Sequence, residues 1–177
     1  LLASPVLRGG TLVVTEEGIR EGVRQLLLPM WNTWYFFAIY ANSARPGGYR
    51  ASRRADASDP LDRYILAKTA DLTAEVTEAM ERLDATAAAT SLRDFAGVLT
   101  NWYVRRSRDL FWRGVDDYGA GAEPFDTLYT VLETLARLAA PLLPLVTESI
   151  WKALTGGRSV HLADWPEAGE LRRDSEL

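Results

Sequence analysis

Apolar residues recur at helical spacing over most of this chain and at strand spacing almost nowhere. After Thr15 they fall at Ile19, Val23, Leu26, Leu27, Met30, Trp34, Phe37 and Ala41, one face of a long helix. Thr15 is placed to cap it, and Glu16 and Glu17 suit the positive end of its dipole. Pro29 predicts a kink or a split into two helices, because proline lacks a donor and its ring clashes with the preceding turn. Residues 42–59 are rich in Ala, Ser, Arg, Gly and Asp and read as a loop. A second helix follows. Asp59 caps it, Pro60 takes its first position, and Leu61, Ile65, Leu72, Val76, Met80 and Leu83 line one side.

Asp84 ends that helix and helps cap a third, from about Thr86 to Trp112. Gly-rich residues 116–122 form a loop. A fourth helix opens at Pro124 with Phe125, Leu128, Val131, Leu132, Leu135 and Leu138 on its apolar face. Pro141 and Pro144 interrupt it, and a fifth runs to about Leu154, where Gly156 and Gly157 stop it. The pattern predicts an all-α helical bundle over residues 15–158. Residues 1–14, broken by Pro5, Gly9 and Gly10, read as the tail of an upstream junction, with a brief strand at Thr11–Val14. Residues 159–177 read as an extended linker. The chain opens on Leu1, not on methionine, which raises the expectation of an excised piece.

The third helix carries NWYVRRSRDLFW, three arginines among four large aromatics. At about 100° per residue, with Trp102 set to zero, Leu92, Phe95, Leu99, Tyr103 and Leu110 fall between about 20° and about 100°. This arc is expected in the core together with Trp102. Arg106 falls at about 40°, inside the arc, and so is expected to pair with an acid or to snorkel to water. Asn101, Arg105, Arg108 and Trp112 fall between about 240° and about 300°, on the opposite face. Guanidinium forks along one face suit phosphate oxygens, and an exposed aromatic can stack on a base. A solvated charged face is the other reading of the same stripe. Arg45, Arg50, Arg53 and Arg54 in the loop are either a tethered basic flap or a solvated segment.

Composition narrows the chemistry. The 177 residues carry a formal net charge of -4, so no general basic coat is present and any nucleic-acid contact must be local. No apolar run reaches the roughly 18 residues of a membrane span. Cysteine is absent, which excludes disulfides and thiolate metal sites. The single histidine, His161, sits in SVHLADWP beside Ser159 and Asp164. These residues are too close in sequence on one extended segment to converge as a triad, and a packing role is expected. The acids are scattered as caps and polar faces, with no paired carboxylates. No glycine-rich phosphate loop occurs.

The segments WNTWYFFAIYAN (31–42), LDRYILAK (61–68), NWYVRRSRDLFW and SVHLADWP together resemble the isoleucyl-tRNA synthetases, and the opening LLASPVLRGG resembles the stretch after their catalytic domain. The resemblance spans nearly all of residues 1–168 and corresponds to the helical anticodon-binding domain of class I synthetases. It implies a parent enzyme, cytoplasmic and bacterial, that joins isoleucine to tRNA(Ile) with ATP and Mg²⁺ and edits mischarged valine. Editing is needed there because one methylene discriminates weakly. It implies partner catalytic, editing and zinc-bearing C-terminal domains elsewhere in that parent, and no catalysis or bound cofactor in this segment. It also implies that Asn101, Arg105 and Arg108, with Trp112, face the tRNA, and that Trp31 and Trp34 mainly pack. The competing reading is a purely structural bundle that bridges other domains.

Overall fold

The computed structural model describes residues 15–116 and 119–172, and within them the chain forms helices and turns with no strand. The expectations for residues 1–14, including the brief strand, lie outside the described residues. Helix α1 (Glu16–Gly22) passes through a π-helical segment, Val23–Leu27, into α2 (Leu28–Ser43). A loop leads to α3 (Pro60–Glu81) and a tight turn to α4 (Ala85–Val98). A second π-helical segment, Leu99–Val104, joins α4 to α5 (Arg105–Arg113). Then come α6 (Glu123–Ala139), α7 (Pro144–Thr155) and two 3₁₀ turns, Val160–Leu162 and Ala168–Glu170. The described residues therefore build an all-α bundle.

The caps are those the sequence predicts. Thr15 Oγ1 accepts from the Gly18 amide at 3.1 Å, and Asp59 Oδ1 accepts from Leu61 at 2.8 Å. Asp84 Oδ1 accepts from Ala87 at 2.9 Å. Gly156 stops α7 in the left-handed conformation, φ 70°. The turn between α3 and α4 holds a surprise. Leu83 takes φ 57°, a conformation that favours glycine, and its side chain is 90% exposed. The helical pattern places Leu83 on the apolar face of the second helix; it projects into water.

Pro29 does not split the first helix. The π-helical turns just before it are wider than α-turns, and the Leu28 amide donates back to Val23 O. The ring and the missing donor are taken up there, so the rod continues from Glu16 to Ser43.

Helix α6 is the centre of the bundle. Phe125, Leu128, Val131, Leu132, Leu135 and Leu138 on it are fully buried. Phe111 from α5 sits edge-on between Phe36 of α2 at 5.1 Å and Phe125 at 4.9 Å. On α3, Thr69 and Thr73 are buried and donate to the carbonyls of Ile65 and Thr69, four residues back. Their hydroxyls need no other partner, which lets α4 pack closely against α3.

Residues 159–172 form short turns held on the bundle, not the extended linker expected. Glu148 Oε2 accepts from Ser159 Oγ at 2.9 Å and from the Val160 amide at 3.0 Å. Trp165 Nε1 donates to Thr77 Oγ1 at 2.8 Å, and the Arg172 amide donates to Ala55 O at 3.0 Å. Val160 and Leu171 are buried. The physical reason is polar anchoring from helices far away in sequence, which local pattern cannot reveal.

Candidate nucleic-acid interface

The rod α4–α5 divides its faces much as the angles predict, with one systematic drift. Leu92, Leu99 and Tyr103 are fully buried and Phe95 nearly so, while Trp102 is only half-buried. Beyond that point the buried positions are Ser107 and Phe111, and Leu110 is half-buried. From Phe95 onward the core side of the rod steps by four residues: Phe95, Leu99, Tyr103, Ser107, Phe111. A regular α-helix would carry such positions steadily round its axis. The wider π-helical turns of Leu99–Val104 absorb part of that rotation and keep these residues aimed inward.

The same drift corrects Arg106. It is exposed, outside the core arc, and among the described residues no acid pairs with it. Its guanidinium carbon lies 5.2 Å from the centre of the Trp102 ring. The other side of the stack is Tyr64, whose ring centre is 4.5 Å from that of Trp102, and Lys68 lies 5.8 Å from the Tyr64 ring. Arg106 is therefore a surface cation resting on an aromatic, with the alternative half of its expectation, reaching for water, realised.

Asn101, Arg105, Arg108 and Trp112 are all exposed. Among the described residues, no acid pairs with Arg105 or Arg108. Trp112 is 60% exposed, yet its Nε1 donates to Tyr40 Oη at 2.6 Å. That bond fixes the ring while leaving much of its surface open, so a base stacking on it would order little.

Beneath this face lies a buried acid that reads in the sequence as a simple first-turn residue. Asp62 is fully buried, and the Tyr103 hydroxyl donates to its Oδ1 at 2.5 Å. Burial pushes the Asp62 carboxyl up to about 6 against the opposing effect of that hydrogen bond, and burial also pushes Tyr103 up. Among the described residues its Oδ2 has no partner. The carboxyl anchors α3 to the rod and does not neutralise the arginines above it.

The loop arginines behave differently. The Arg53 guanidinium donates to Glu133 and Glu170, and Arg137 joins the same two acids at 3.0 and 3.4 Å. Arg54 lies 3.4 Å from Glu123, whose Oε1 also accepts from the Ser58 and Asp59 amides at 2.7 Å. Burial alone would raise Glu123, but these amides and Arg54 outweigh it and hold its carboxyl below the usual range. Asp126 takes the Tyr49 hydroxyl and the Ser52 amide. The loop is thus laced to α6. Arg50 is exposed, and Arg45 rests over Tyr49 at 5.4 Å.

No hydrolytic centre forms around His161. Ser159 Oγ donates to Glu148, while His161 Nε2 lies 3.2 Å from Pro144 O. The ring serves as a packing contact at the bundle end. Among the described residues, no group of three His, Cys, Asp or Glu side chains could hold a metal ion, so zinc finds no fitting donors there. Among them also, no helix is long and apolar enough to cross a membrane.

This geometry coincides with a known class. Residues 62–177 match the family described as the anticodon-binding domain of tRNA ligase, and the chain belongs to that family. More particularly, it is 69% identical to the isoleucine–tRNA ligase of Leifsonia xyli subsp. xyli, 55% identical to that of Corynebacterium efficiens and 52% identical to that of Tropheryma whipplei. Each match covers 100% of this chain and 16% of the relative, so the chain spans about a sixth of the length of these proteins.

Proposed function

We propose that this chain is the module of an isoleucine–tRNA ligase that receives the anticodon arm of tRNA(Ile), through Asn101, Arg105, Arg108 and Trp112. One observation carries the assignment of the face. Two adjacent-turn arginines stand exposed with no acid partner among the described residues, while the loop arginines Arg53 and Arg54 are paired. Unpaired guanidinium groups gain most from phosphate oxygens. The tethered Trp112 adds a stacking surface, and Asn101 offers an amide to a base or ribose.

In this reading the domain is non-catalytic. It sets the register of the tRNA so that its acceptor end reaches a catalytic domain elsewhere in the parent polypeptide. ATP and Mg²⁺ serve that domain, valine editing belongs to another, and zinc to a C-terminal region. The enzyme works in the cytoplasm.

Filter binding of the full-length ligase to tRNA(Ile) and to an unrelated tRNA, across a salt series, tests the assignment. Arg105→Ala with Arg108→Ala should weaken binding and lower the salt slope by about 2, roughly one for each phosphate no longer neutralised. Unchanged affinity and slope in that double variant would leave the bundle as a structural bridge.

A further inference from the structure

A groove of about 510 Å³ runs between the first rod and α4. Both π-helical segments border it, Arg24 and Gln25 coming from one and Thr100 and Asn101 from the other. Asn32 of α2 and Arg93 of α4 complete its polar rim, and Leu28 and Pro29 give it an apolar wall. Gly97 keeps it open, since a Cβ built there meets nothing within 4 Å. The groove leads into the stripe already described. Arg93, Gly97, Asn101 and Arg105 follow one another at four-residue steps along the rod, and the wide turns of Leu99–Val104 keep that spacing on one side.

We infer that this groove seats a single unpaired ribonucleotide of the bound tRNA, its base between Asn32 and Asn101 and its phosphate toward Arg24 and Arg93. The inference rests on the proposed tRNA-binding function and extends it from a surface to a pocket. The two carboxamides each present a donor and an acceptor in one plane, which is what the polar edge of an unstacked base requires. A paired base hides that edge, so a duplex has no use for the pocket. The arginines are tethered but not consumed. Arg24 reaches Glu21 at 2.6 Å and Arg93 reaches Asp94 at 3.2 Å, both exposed pairs of small net strength. Each guanidinium keeps donors free for a phosphate.

Gly97 makes the test clean, because a side chain there fills the groove without removing a charge. The full-length ligase is compared with its Gly97→Ala, Gly97→Trp and Asn32→Ala variants in filter binding to tRNA(Ile), with thermal melts followed by circular dichroism. Gly97→Ala should bind as wild type and melt no lower, since alanine favours a helix interior. Gly97→Trp should bind about tenfold more weakly, the effect of losing one seated base, and Asn32→Ala should fall between the two. A fully paired RNA duplex should bind all four proteins alike. Gly97→Trp binding within about twofold of wild type overturns the pocket. If the Arg105→Ala, Arg108→Ala variant is weakened in that case, the tRNA face stands without the pocket. If neither variant is weakened, both readings fall. An equal loss for duplex RNA overturns the assignment to an unpaired nucleotide.

Discussion

Two arginine-rich regions lie within about 60 residues of each other, and they meet opposite fates. In the loop after α2, Arg53 and Arg54 are drawn onto α6 by Glu123, Glu133 and Glu170. On α5, Arg105 and Arg108 face water, and the nearest buried acid, Asp62, is engaged by Tyr103. The acids differ as much as the arginines do. Those beneath the loop are held ionised by amides and guanidinium groups, whereas the one beneath α5 is pushed toward its neutral form by burial. A basic cluster becomes a binding surface only where the fold withholds acids from it.

The two regions touch at one point, and breaking it gives the largest expected effect. Gly114 ends α5 at φ 70°, where a Cβ would lie 2.4 Å from Ala44 O, and the Val115 amide donates to that same carbonyl at 3.0 Å. Gly114→Ala should destabilise the domain by about 3 kcal/mol or more in urea titration, from backbone strain and collision together. Next comes the loop network. Glu133→Ala strips Arg53 and Arg137 of a shared, largely buried acid, and should cost about 3 kcal/mol with the loop becoming more protease-sensitive.

The acid beneath α5 should reveal itself by pH. Its carboxyl is raised to about 6 in the folded state from 3.8, so the folded state holds the proton more tightly. Stability from this group is full below the lower value and falls as pH rises through the window up to about 6. The span is on the order of 2–3 kcal/mol. Wild type minus Asp62→Asn stability, measured by urea titration, should therefore drop between pH 4 and pH 7. A flat difference would mean that Asp62 is not buried as described. The smallest effect is expected where function is proposed. Arg105→Ala and Arg108→Ala should each change stability by less than about 0.5 kcal/mol, since neither side chain has a partner to lose.

Much of the bundle is legible in the sequence because its punctuation is local. Threonine and aspartate caps, prolines at helix starts and the glycine after α7 each act within a turn. Three things are hidden for reasons that can be named. Leu83 occupies a left-handed turn without the expected glycine, so the end of α3 reads as more helix. The loop and the 159–172 segment are fastened by acids and hydroxyls far along the chain, Arg53 to Glu133 being 80 residues apart. Arg106 leaves the expected core arc, and Phe111 takes a core position, because a fixed 100° step does not hold through π-helical turns. The binding stripe survives that drift, its four members being spread widely enough for all to remain outside.

Those wide turns have a consequence for how such a surface can change. A π-helical segment behaves as one residue too many in an otherwise regular rod. Deleting a single residue such as Thr100 would let the rod relax to ordinary α-helix and twist everything after it by about 100°. Phe111 would swing out of its socket between Phe36 and Phe125, and the arginines would be re-aimed as a block. The direction in which this domain offers its charges is thus governed by a count of residues, so a change in length there would re-aim the face with every arginine still in place.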